Sequence, residues 1–197
     1  MVVDPEQIAK RLVQTRAAME EFARTRAHDL ARAAELVIET LRQGGKVLVF
    51  GNGGSAAQAQ HIAAELVNRM CMDRAPLPAI ALTTDTSILT SVANDYDFDQ
   101  VFAKQVQALG RPGDLAWGLS TSGASRNVLL GLEAAGGKGM KRLAFAGRPG
   151  AGIEKVAELC LWVEAASTPV IQEVHLAAAH IICELVEREL FRKGENA

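Results

Sequence analysis

Val47-Leu48-Val49-Phe50-Gly51-Asn52-Gly53-Gly54-Ser55 is the stretch that decides the fold. Four consecutive apolar residues make a short buried strand, the glycines break it, and an alanine-rich run beginning at Ala56 continues as a helix. The same texture recurs downstream. Ala79-Ile80-Ala81-Leu82 leads into Thr83-Thr84-Asp85 and a helix start, and Leu115 to Leu119 leads into Ser120-Thr121-Ser122-Gly123. Leu143 to Ala146 runs into Gly147-Arg148-Pro149-Gly150, and Leu159 to Val163 is the last such run. Five strands separated by helices specify an α/β fold: a doubly wound, mostly parallel five-stranded sheet flanked by helices. Ligands bind such sheets beyond the carboxyl ends of the strands. The polar loops after the first and third strands are therefore where a site is expected.

Outside the sheet region the chain is helical at both ends. Ile8, Leu12, Met19, Phe22, Leu30, Ala33, Leu36, Val37 and Leu41 recur at helical spacing, with Asp4-Pro5 as a start and Gly44-Gly45 as a stop. This predicts one long helix, or two with a break near residues 25–29. A second long helix is expected from about Thr168 to Phe191. Helices of this length point to packing against another subunit. With no repeat, low-complexity tract or linker, a single domain over 1–197 is expected. It comprises an N-terminal helical region (1–44), an α/β core (45–166) and a C-terminal helix (167–197).

Composition narrows the function. The 197 residues carry 21 Lys+Arg against 23 Asp+Glu, a net charge of -2, so no basic excess exists to neutralise a nucleic-acid backbone. Aromatic residues are only 5%, too sparse for a base-stacking surface. Cys71, Cys160 and Cys183 are odd in number and widely spaced, which argues against a disulfide framework or thiolate zinc site and for buried thiols. Asp4, Glu6, Lys10, Arg11 and Arg16 interrupt any apolar leader core, and no stretch reads as a membrane span of about 18–20 apolar residues. A cytoplasmic protein without nucleic-acid or membrane partners is expected.

Two loops have the makings of an anion site. Gly51-Asn52-Gly53-Gly54-Ser55 lets backbone approach a ligand at a helix N-terminus, with Ser55 as a good N-cap. It lacks the third glycine of a dinucleotide fingerprint, since position 56 is Ala, and the lysine of a P-loop. A plain tight turn is the alternative. Ser120-Thr121-Ser122-Gly123-Ala124-Ser125 sets four hydroxyls in six residues ahead of a helix, more than one cap needs. Together the loops fit a small phosphorylated ligand better than a nucleotide.

Titratable residues cluster on two helices. His61 and Glu65 are four apart and share a face, which taken alone is more often a simple surface pair than a metal site, but their small apolar neighbours predict a buried helix. A buried carboxylate requires a partner, a metal or a shifted pKa. The last helix carries Gln172, Glu173, His175 and His180. Gln172 and His180 are separated by a rise of about 12 Å and an angle of about 80°, near the limit of joint reach, which a site shared between subunits would relieve. His175 lies on a different face from Gln172 and fits a structural role as well as a place in the site; His28 suits the surface or an interface.

Phe50 to Ser55, His61-Ile62-Ala63-Ala64-Glu65 with Arg69, Asn94-Asp95, Ser120 to Ser125, and Ile171-Gln172-Glu173-Val174-His175 with His180 occur in that order. This ordered set resembles the sedoheptulose 7-phosphate isomerases (phosphoheptose isomerases) of the sugar-isomerase (SIS) fold group. The resemblance implies a homotetramer with a central helical bundle built from the end helices, and active sites near subunit contacts. It implies aldose–ketose isomerisation of sedoheptulose 7-phosphate to D-glycero-D-manno-heptose 7-phosphate, a precursor of bacterial surface glycans such as lipopolysaccharide. It further implies one zinc per subunit held by His61, Glu65, Gln172 and His180, with Glu65 and His180 as the acid/base pair. The substrate site it implies comprises Asn52, Gly53, Gly54, Ser55, Glu65, Asn94, Asp95, Ser120, Thr121, Ser122, Ser125 and Gln172. Two positions depart from the pattern: Val170 stands where the family often has Arg, and Gln58 where many relatives have Asp.

Two rival readings share the fold. One is a non-catalytic SIS protein that binds the replication initiator, a branch that typically lacks an acid at the position of Glu65. The other is an isomerase of a different sugar phosphate, whose phosphate loop would look the same.

Overall fold

The computed structural model describes residues 3–191. Five parallel strands form one sheet in the order β2-β1-β3-β4-β5: β1 (Val47–Gly51), β2 (Ala79–Ala81), β3 (Leu115–Ser120), β4 (Lys141–Ala146) and β5 (Leu159–Trp162). The expected strands are all present, and every pairing among them is parallel. The chain leaves β1 for one edge to make β2, then crosses back to the other side of β1 for β3. That reversal opens a crevice between the carboxyl ends of β1 and β3, the place where such sheets take ligands.

Helices cover both faces: α1 (Pro5–Arg42), α2 (Gly54–Val67) and α7 (Thr168–Phe191) on one, α4 (Val101–Leu109), α5 (Arg126–Gly137) and the short α6 (Ile153–Val156) on the other. Strand alternation sorts the core accordingly. Val47, Val49, Trp117, Leu143 and Phe145 face the first layer, while Leu48, Phe50, Ala116, Ala144 and Ala146 face the second. With both faces covered, the strands read as unbroken apolar runs. α3 (Thr86–Asp95) has no fully buried residue, but Leu89, Val92 and Ala93 pack half-buried against the second core.

α1 is one uninterrupted helix, which settles the choice between one helix and two. Asp4 caps it by accepting from the Glu6 N–H at 2.9 Å, Pro5 sits in the first turn, and Gly44 supplies the left-handed stop at φ 80°. Burial begins only at Phe22; Ile8, Leu12 and Val13 on the first turns are exposed. α7 packs along α1, and Arg42 reaches Glu189 across the pair.

One expectation about the chain's apolarity needs correcting. α7 is long and apolar enough to cross a membrane by length and composition, with a mean hydropathy of 1.3 over its best window. Half of that window is buried within the fold, so its apolar residues serve the contacts with α1, α2 and the sheet. The cysteines also differ from the uniform expectation: Cys183 is buried, Cys160 is half-buried and Cys71 is exposed.

Candidate active site

Both loops at the crevice are built from close backbone approach. Gly51 packs against the Leu119 carbonyl and the β-carbon of Ser55, leaving no room for a side chain. Gly53 takes φ 55° and is the N-cap of α2, with no side chain satisfying the first N–H groups. Ser55 is thus not the cap that its sequence position predicts. It lies one residue inside the helix and is buried beneath Gly51, because the turn closes earlier through the conformation only glycine takes easily.

The serine loop is organised around its own hydroxyls. Ser120 Oγ donates to Ser125 Oγ at 2.9 Å and accepts from the Gly123 N–H at 3.1 Å, and Ser122 Oγ accepts from the Ala124 N–H at 3.2 Å. Ser125 is the N-cap of α5 but makes no side-chain cap bond. Two helix N-termini without side-chain caps therefore face one crevice, each presenting backbone donors and the positive end of a dipole.

Asn52 joins the loops. Its amide pairs with that of Asn127, the second residue of α5, through two hydrogen bonds of 2.8 Å, one in each direction. Asn127 is buried and escaped the sequence reading; the available signal was a lone polar residue just inside a helix whose next residue, Val128, faces the core.

The titratable cluster forms where α2 meets α7. His61 Nε2 lies 2.8 Å from His180 Nε2 and 3.4 Å from Glu65 Oε1, and the three ligand atoms fall within 4.8 Å of one another. The predicted His61, Glu65 and His180 are thus brought together within one chain. Two facing imidazole nitrogens either share a hydrogen or turn both lone pairs on a cation. Two imidazoles and a carboxylate are donor types zinc takes, so the residues fit that metal.

The expected burial is corrected. His61 is exposed and Glu65 half-buried, because Ala57 and Ala64 mark an open side of α2 while Ala59, Ile62 and Ala63 face inward. The small residues reflect helix propensity as much as burial.

Gln172, the fourth expected ligand, stands on α7 two turns before His180 and packs on the N-terminal turn of the helix that carries His61 and Glu65. Its amide lies over Gly54 at the opening turn of α2, and its carbonyl accepts from Gln58 Nε2 at 2.6 Å. Gln58 uses its donor to hold α7 to α2, and its buried Oε1 has no partner among the described residues. Val170, the other departure, is buried. Asn94 and Asp95 are exposed at the end of α3, where Asn94 Nδ2 donates to Asp95 Oδ1 at 2.8 Å.

A second buried network ties α2 to α7 below the cluster. Glu187, two turns beyond His180, accepts from the N–H groups of Met70, Cys71 and Met72 and pairs with Arg74 at 3.0 Å. Arg74 in turn donates to the carbonyls of Glu65 and Leu66, the open end of α2. Burial pushes the Glu187 carboxyl up, but its backbone donors and Arg74 outweigh this and hold it below the ordinary range. An acid seven residues after His180 in an apolar helix was the legible sign of it.

Of the two roles open to His175, its surroundings are those of the structural one. It is buried against Phe145, and its Nε2–H donates to the Ala146 carbonyl at 2.9 Å. Burial pushes its pKa down to about 4, so the ring is neutral. His28 is exposed on α1.

Comparison with known proteins adds to this geometry. Residues 12–147 match the family model described as SIS domain. The chain is 54% identical to a phosphoheptose isomerase of Roseiflexus sp. (strain RS-1) over 169 residues, 86% of each chain. Among solved structures, a phosphoheptose isomerase from Neisseria gonorrhoeae superposes with a TM-score of 0.88 at 42% identity, covering 93% of this chain and 98% of that one. One from Francisella tularensis gives a TM-score of 0.90 at 37% identity, covering 95% and 100%.

Proposed function

The chain belongs to the SIS-domain family and, within it, to the phosphoheptose isomerases, and from this we propose that it converts sedoheptulose 7-phosphate to D-glycero-D-manno-heptose 7-phosphate through an enediol. The observation that carries the reading is the convergence of His61, Glu65 and His180 on the side of α2 whose N-terminus opens the crevice. A phosphate at the serine loop and the α2 N-terminus anchors one end of the sugar. The reacting carbons are thereby held against the cluster, which removes orientational entropy from the chemical step.

In the proposed chemistry Glu65 takes the proton from C1 of the ketose, and His180 delivers one to the carbonyl oxygen at C2. The return step reverses the roles: His180 takes the proton from the oxygen at C1, and Glu65 gives its proton to C2, leaving the aldehyde. Atoms balance, and no oxidant is needed. Zinc held by His61, Glu65, His180 and Gln172 would, when bound, stabilise negative charge developing on the two oxygens. Asn52, Gly53, Gly54, Ser55, Ser120, Thr121, Ser122 and Ser125 bind the substrate on this reading, as do the exposed Asn94 and Asp95.

The same reading makes the protein a cytoplasmic homotetramer. The exposed apolar residues Ile8, Leu12 and Val13 on the first turns of α1 support a helical bundle there. The test is direct: pure protein is incubated with sedoheptulose 7-phosphate, with and without zinc chelation. Appearance of the aldose, lost on chelation and restored by zinc, is the expected result. Absence of turnover with the zinc-loaded protein overturns the substrate assignment, and turnover of another ketose phosphate instead redirects it.

A further inference from the structure

We propose that Asn127 is a positioning residue that acts through Asn52, clamping the glycine loop to the serine loop so that they meet a phosphosugar as one surface. The inference rests on the functional reading above only in taking a phosphosugar as the ligand.

Asn52 follows β1 and Asn127 follows the serine loop, and β1 and β3 are neighbours in the sheet. The two side chains therefore face each other across the crevice at the reversal of strand order. Their amides exchange two hydrogen bonds of 2.8 Å, a closed ring in which each group both donates and accepts. An amide has two N–H donors and an oxygen with two lone pairs, so the ring consumes half of each. Asn127 is 2% exposed and can spend nothing on a ligand, whereas Asn52 is half-buried and keeps one donor and one lone pair for the crevice. The asymmetry assigns the roles: Asn52 touches the ligand, and Asn127 fixes the plane of the Asn52 amide.

The ring is also a spacer. The glycine loop has no side-chain cap on α2 and a glycine at φ 55°, and the amide ring links its tip directly to α5. Asparagine suits Asn127 because aspartate cannot donate to Asn52 Oδ1, and alanine leaves both polar atoms of Asn52 without their partner. Glu65 and His180 stand on α2 and α7, outside this ring, so its loss acts on binding more than on proton transfer.

The test is a double-mutant cycle of Asn52→Ala, Asn127→Ala and the double variant, read on the KM and kcat of the zinc-loaded enzyme with sedoheptulose 7-phosphate. Asn127→Ala is expected to raise KM about tenfold with kcat within about twofold of wild type. The double variant should be no worse than Asn52→Ala alone, since Asn127 acts only through Asn52. Additive losses, or a fall in kcat at unchanged KM, overturn the proposal. The same cycle is measured calorimetrically with inorganic phosphate, which needs no turnover. If wild type lacks isomerase activity the functional reading fails, while the phosphate cycle still shows non-additivity if the clamp is right and additivity if it is not. Asn127→Ser replaces Asn127→Ala should the latter fail to fold.

Discussion

The Gln172 amide lies on Gly54 so closely that a β-carbon at that glycine would stand 2.8 Å from its Oε1 and 2.9 Å from its Cδ. The obstructing atoms are the end of a flexible side chain, and Gly54 does not adopt a positive φ. Gly54→Ala is therefore expected to fold normally, with a melting temperature at or above wild type, since alanine favours the helix. The displaced Gln172 should lower kcat/KM at least tenfold, about 1.4 kcal/mol in the transition state. Unchanged kinetics would remove Gln172 from the site.

Glu65→Gln and His180→Gln separate chemistry from binding. Each keeps the side chain's approximate size but removes its ability to exchange a proton. Both are expected to abolish turnover, by about 100-fold or more, while calorimetry still detects sedoheptulose 7-phosphate. An active Glu65→Gln enzyme would sink the assignment of the base.

The Glu187–Arg74 pair makes a stability prediction. Glu187→Gln leaves the Arg74 guanidinium buried without its counter-charge and should cost about 3–5 kcal/mol in urea denaturation. The carboxyl's pKa is lowered on folding, so its contribution is complete above the ordinary value of 4.5 and is lost as pH falls through the folded value below it. Wild type should thus lose stability in that acid range where the variant, already weakened, shows a flatter profile.

His175 titrates in a different window. Its pKa is ordinarily 6.5 and falls to about 4 in the core, so between these values the unfolded chain binds a proton that the folded chain refuses. Stability should drop by about 1.4 kcal/mol per pH unit as the pH falls through that interval. His175→Gln, which can still donate to the Ala146 carbonyl, removes this slope. Urea unfolding at pH 7 and pH 5 should show wild type losing about 2 kcal/mol more than the variant. Equal losses would mean the ring charges freely in the folded state.

Sheet and loops were legible for a physical reason: a parallel strand covered on both faces must be apolar throughout, as Val47 to Phe50 are, and a crevice at strand ends must be glycine- and hydroxyl-rich. His61 and Glu65 were legible as a pair through helical spacing, but His180, 119 residues from His61, joined them only through the family resemblance. Other features depend on pairings that no local pattern encodes. Asn127 acquires meaning only opposite Asn52, 75 residues earlier, and Glu187 only opposite Arg74, 113 residues earlier. The exposure of His61 was misread because alanine serves both the inside and the outside of a helix. Ser55 was misread as a cap because the positive φ of Gly53 is invisible until the turn is built.

The packing of α1 against α7 has a consequence for how the chain is made. The first helix emerges from the ribosome long before its cover, since α7 begins at Thr168 and α1 ends at Arg42. At a synthesis rate of about 5–20 residues per second, the apolar side of α1 waits on the order of ten seconds for its partner. All five strands and the second core are therefore made before α7 emerges, while the first layer stays open, and it is this helix, which brings His180, that closes that layer and completes the acid–base cluster in one event.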